Sequence, residues 1–171
     1  MTKSFLEMLF EHNNWANLQI IEVCATLSDE QLDAVPTSTT YGSIRETLSH
    51  LVVAQQGYLR LLTLPLEQRQ ERTPVPPFAE LKSLAVSSGE ALLALASDSS
   101  SLAMKPRLQT RDNYLVEPWV VMVQVINHAT EHREQIKSML TALEVTPPEI
   151  DSWSYGDFTG GTIPMDKKTG N

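Results

Sequence analysis

The sequence predicts an all-α protein, a four-helix bundle. Three observations predict it. Four long segments carry apolar residues at helical spacing. Most of the ten prolines and seven glycines cluster outside those segments. The second segment opens on Ser43-x-x-Glu46, a capping box in which hydroxyl and carboxylate satisfy free backbone N–H groups at a helix start. A chain of 171 residues suits one domain, spanning 1–171, with a sizeable core.

The first segment covers about 3–27. Phe5, Leu9, His12, Ala16, Ile20 and Val23 form one stripe, with Leu6, Phe10, Asn13, Asn17, Ile21 and Cys24 beside it. So wide an apolar face packs against more than one neighbour. The stretch "SDEQLDAVP" then reads as a loop with one extra turn. The second helix runs from Ser43 to about Leu64, where Pro65 stops it. Ile44, Leu48, Leu51, Gln55, Tyr58 and Leu62 define its inner face, and Thr47, His50, Ala54 and Leu61 lie alongside. The third runs from about Phe78 to Ala96 with Leu81, Leu84, Ala85, Leu92 and Leu95 inward. Residues 102–116 lack helical periodicity, and their "TRDN" centre predicts a loop or irregular hairpin in a long third connection. The fourth helix starts near Pro118, a first-turn residue, and ends near Leu143 before "TPP". Its stripe is Val121, Val125, His128, His132, Gln135 or Ile136, and Met139. The tail from Glu149 reads as a loop, with a mobile end over 162–171.

Charge and composition exclude some functions. Thirteen basic residues against 21 acidic ones give a formal charge of −8. A nucleic-acid or anionic-membrane binder would need a basic footprint. The lone Cys24 permits no internal disulfide, which fits a reducing cytoplasm. Glu7 and Glu11 interrupt any signal-peptide core, and no apolar run reaches membrane-spanning length.

The chemistry concentrates in "VINHATEHREQ", residues 125–135, where His128 and His132 lie four apart. That spacing puts two imidazoles about 6 Å apart on one helix face, where both can reach one ion. Here they also replace two apolar residues of a buried stripe. Two stacked imidazoles in a core need a shared reason, a metal or a polar network, unless the face is half-exposed. A third ligand must come from another helix. Periodicity offers His50 or His12, while Glu131 and Glu134 point away from the pair. Three neutral imidazoles leave an open coordination position, the catalytic pattern for a metal.

Three stretches carry a family resemblance: "HNNWANLQII", "SIRETLSHLVVAQQGYL" and "NHATEHREQI", in that order along the chain. Together they resemble the DinB/YfiT-like family over about 3–143, and "EIDSWSY" is similar to that family's closing segment. The resemblance implies an up-down-down-up four-helix bundle with a long crossover, often a homodimer. It implies a divalent metal, commonly zinc or nickel, with His50, His128 and His132 as its ligands. His12 stands where the family has Tyr and is no carried-over ligand. Relatives of this kind include transferases and isomerases that use low-molecular-weight thiols such as bacillithiol, mycothiol or glutathione. This sequence departs from the family at Glu134, where the family has Gly, at Gln124, where many members have a further His, and at Gln55-Gln56, where an acidic residue is frequent.

The functional expectation is a metal-dependent enzyme transferring a thiol to a small electrophile, with no nucleic-acid or membrane partner. Metal-activated water in a hydrolase, or a non-catalytic dimeric bundle binding a small ligand or protein, are the alternatives. Trp15, Asn14 and Asn17 read as packing and hydrogen-bonding residues, and His12 as a satisfied boundary histidine. Arg133 reads as a surface or dimer-contact ion-pair former, with an anionic substrate group as its alternative partner. Trp153, Tyr155 and Asp157 read as surface-packing tail residues rather than a cover for the site. Cys24 reads as a small core residue.

Overall fold

A computed structural model describes residues 3–35, 42–70, 74–98, 100 and 104–165. The fold is mostly helical. Its long helices are α1 (Phe5–Cys24), α3 (Ile44–Thr63), α4 (Leu81–Ser97) and α5 (Pro118–Ala142), with short helices α2 (Asp29–Asp33) and α6 (Ser152–Thr159). Strands β1 (Leu108–Gln109) and β2 (Leu115–Val116) form a small antiparallel hairpin in the connection before α5. Asn113 supplies its turn with a left-handed backbone at φ 64°.

Local sequence explains the helix ends. Ser4 with Glu7, Ser28 with Gln31 and Ser43 with Glu46 each form a complete capping box. Pro118 opens α5 in the position that needs no N–H donor. At the other end of α5, Glu144 adopts a left-handed backbone at φ 57°. The Val145 N–H then donates to the Leu140 carbonyl and the Glu144 N–H to Thr141, closing a Schellman motif.

Three expectations need correction. The tail is not all loop: Asp151 caps α6 through the Ser154 N–H, and Gly160 ends it at φ 74°, where L side chains are disfavoured. Phe5 does not face inward; it is 74% exposed, and the buried face of α1 is Phe10, Asn13, Ala16, Asn17, Ile20, Ile21 and Cys24. In α4, Leu81, Ala85 and Leu92 are buried, whereas Leu84 and Leu95 are only partly so. The mobile end expected over 162–171 lies, from residue 166 on, outside the described residues. Among the described residues, no helix is long and apolar enough to cross a membrane.

Side-chain pairs give the helix directions. Glu22 meets Lys82 and Asn14 meets Gly89, so α1 and α4 are antiparallel. Arg45 stacks on Phe78 and Gln55 bonds Ala85, so α3 and α4 run the same way. Phe10 clusters with Val121 and Val125, while Ala16 and Ile20 cluster with Ile136 and Met139, so α1 and α5 are parallel.

The buried apolar residues fall into two clusters. One gathers Ala16, Ile20, Leu48, Leu51, Ile136 and Leu140; the other gathers Phe10, Leu62, Leu92, Val121 and Val125. Between them lies a polar layer drawn from all four long helices. Arg133 Nη1 donates to Asn13 Oδ1 (2.8 Å) and Asn17 Oδ1 (2.6 Å). Asn17 donates to Gln55 Oε1 (2.9 Å), and Gln55 donates to the Ala85 carbonyl (3.0 Å) and Ser88 Oγ (2.7 Å). Buried polar groups must be paired with one another or lose stability, so this relay fixes the mutual height of the helices. It sits level with the histidines.

Candidate metal centre

His128 and His132 project from α5 one turn apart, and His50 meets them from α3. The ring centroids of His50 lie 5.0 Å from His128 and 4.8 Å from His132, and those of the α5 pair lie 4.4 Å apart. All three contacts are edge-on, so the rings converge without stacking. One ligand nitrogen from each ring lies within 4.8 Å of the other two. Dividing that distance by √3 places a common point within about 2.8 Å of all three. A metal–nitrogen bond is ~2.0–2.1 Å, so side-chain shifts below about 1 Å would close the triad on one ion.

Two further observations test the fit. His128 Nε2 is buried and has no hydrogen-bond partner among the described residues, an arrangement that costs stability unless something binds the nitrogen. His132 Nδ1 lies 2.7 Å from Gln135 Oε1. An amide oxygen only accepts, so Nδ1 carries the proton and Nε2 keeps its lone pair. Hydrogen bonding of the second ring nitrogen is how metal-binding histidines are commonly oriented. The donor set, three imidazoles and no carboxylate, suits zinc or nickel better than a hard cation.

The environment disfavours protonation of His128 and His50. Burial pushes the His128 pKa down to about 4, aided by His132 and His50, with Glu131 opposing. Burial, then His132, also lowers that of His50. Tyr58 closes one side of His128, edge-on at 5.7 Å.

The other predicted residues divide clearly. His12 is not in the triad; its Nε2 lies 2.9 Å from the Ile150 carbonyl, a satisfied boundary position. Asn14 donates to the Gly89 carbonyl (2.9 Å), and Trp15 packs against Tyr155 at 5.2 Å. Asn17 and Gln55 belong to the polar layer, so the missing acidic residue at 55 affects helix bracing. Gln124 is exposed, and exposed Glu134 pairs with Lys137, so neither enters the triad. Trp153 is 77% exposed, and Tyr155 packs α6 on His12 and Trp15 of α1 rather than on the triad. Cys24 is buried and its thiol is pushed up to about 12 by burial, so it is no nucleophile.

Arg133 contradicts its expected surface role. It is 3% exposed, and burial lowers its pKa to about 10. It donates hydrogen bonds to Asn13, Asn17 and Thr130, all neutral. Position 133 follows His132 by 100°, which turns it from the triad into the polar layer. Gln135, three residues after His132, stands in the predicted stripe of this helix, but nothing in the sequence marked it as the partner of Nδ1.

The class defined here is a mostly helical fold whose second and last long helices bring together three histidines that could hold a metal ion, and the comparisons with known proteins give its family. A DinB family profile matches residues 1–166. The chain therefore belongs to the DinB family. It is 26% identical over 146 residues to Protein DinB of Bacillus subtilis (strain 168), covering 80% of this chain and 84% of that one. A crystal structure of a DinB-like protein from Bacillus cereus ATCC 10987 superposes with a TM-score of 0.65 at 18% identity, covering 88% of this chain and all of the other.

Proposed function

We propose that His50, His128 and His132 hold one divalent ion, zinc or nickel, and that the protein is a metal-dependent enzyme acting on a small electrophile. The observation that carries this reading is the convergence of three imidazoles, one with a buried nitrogen left without a partner among the described residues. A divalent ion bound there would make a thiol or water at its open position more acidic. We take the co-substrate to be a low-molecular-weight thiol, as the family resemblance implies. The chain's own residues do the rest. Gln135 fixes the His132 ring, the polar layer fixes α5 against α1 and α3, and Tyr58 screens His128 from solvent.

The test is consumption of monochlorobimane with bacillithiol or glutathione by the metal-loaded protein. Turnover should vanish on chelation and in His128→Ala. Turnover that ignores both changes contradicts the proposal, and turnover without thiol would assign a hydrolase. The exposed apolar residues Trp119, Val120 and Val123 at the start of α5 favour a homodimer, which sedimentation of a Trp119→Glu variant would test. A cytoplasmic location is part of the same reading and fits the single buried thiol.

A further inference from the structure

We infer that the cavity beside His50 seats the electrophilic substrate and selects a neutral, mainly apolar molecule carrying a carbonyl or epoxide oxygen. The inference rests on the metal reading above and names the substrate class for that site. The cavity holds about 280 Å³ and is lined by Arg45, Glu46, Ser49, His50, Val53 and Val75. That volume falls at the small end of ligand sites, so the occupant is a compact molecule. His50 is the wall shared with the triad.

Selection against charge follows from how the lining ions are committed. Arg45 donates to Asp33 (2.6 Å) and Asp29 (2.5 Å). Glu46 accepts from the Ser43 N–H (2.9 Å) as part of the helix cap. The one cation of the lining is thus held by two carboxylates outside the cavity and the one lining carboxylate by the helix cap, so an anionic ligand finds no uncommitted cation here. Val53 and Val75 supply an aliphatic wall.

Ser49 supplies the polar contact. It is only 6% exposed, yet its hydroxyl forms no hydrogen bond with any described residue. Helical hydroxyls usually bond the carbonyl four residues back, as Thr47 does to Ser43 and Ser88 to Leu84. Ser49 instead lines the cavity with its O–H donor unspent. A ligand oxygen in the cavity could accept from this hydroxyl.

The experiment titrates the full-length, zinc-loaded protein with methyl butyl ketone and, separately, with hexanoate, following valine methyl signals by NMR. Elemental analysis of the same samples reports zinc. The ketone should shift Val53 and Val75 saturably, hexanoate should not, and Ser49→Ala should weaken the ketone by about 2- to 10-fold. Equal binding of hexanoate, or an unchanged dissociation constant in Ser49→Ala, overturns the inference. Protein that retains zinc but ignores the ketone refutes the cavity assignment alone. Protein that binds the ketone but retains no zinc refutes the metal reading and leaves the cavity's ligand class standing.

Discussion

The guanidinium of Arg133 is enclosed by the carbonyl oxygens of Asn13 and Asn17 and the hydroxyl of Thr130. Removing it would leave buried acceptors without donors, the expensive way to lose a hydrogen bond. Arg133→Met should therefore cost about 2–5 kcal/mol in a urea unfolding titration. A loss below about 0.5 kcal/mol would show that the layer is not a brace. The histidines make a second prediction at this scale. His128 has a folded-state pKa of about 4, below its unfolded value of 6.5. Neutral His128 thus favours the folded chain above pH 6.5, and that advantage is lost as pH falls toward 4. Metal-free protein should lose stability across that window, and His128→Ala should flatten the loss. At the residue scale, the chelating spacing was legible because a helix repeats. The Arg133 environment was not, because only the three-dimensional position of α1 tells whether a charged side chain meets water or amides.

Among the elements, the contact between α1 and α4 depends on Gly89. A Cβ at that position would lie 2.8 Å from Asn14 Oδ1, while Asn14 already donates to the Gly89 carbonyl. Gly89→Ala should displace the Asn14 side chain and break its bond to the Gly89 carbonyl, a loss of about 0.5–1.5 kcal/mol that the better helix propensity of Ala partly offsets. Thermal unfolding would check it, and in an Asn14→Ala background the same substitution should cost less. The four long helices were readable from periodicity, proline stops and the Ser43–Glu46 cap, since these signals are local. Helix α6 was missed because it has only eight residues and no buried one, so no apolar stripe marks it. Its Asp151 cap and Gly160 stop were the available signals. Phe5 was misplaced because the stripe of α1 was drawn one residue off the buried face.

At the level of the whole molecule, two apolar clusters are separated by a polar layer, and the histidine triad lies level with it between α3 and α5. The three histidines come from helices joined by more than fifty residues of intervening chain, so their meeting is a property of the packed fold. Periodicity alone left His50 and His12 as equal third ligands. Family motif order favoured His50, and packing brings His50 to the pair while directing His12 to Ile150. The same fold buries one imidazole nitrogen without a partner among the described residues, which a bound group would relieve. The most direct test is elemental analysis of the purified protein beside the His128→Ala/His132→Ala variant. The account predicts one zinc or nickel per chain in the first and none in the second. Equal metal content in both would contradict it.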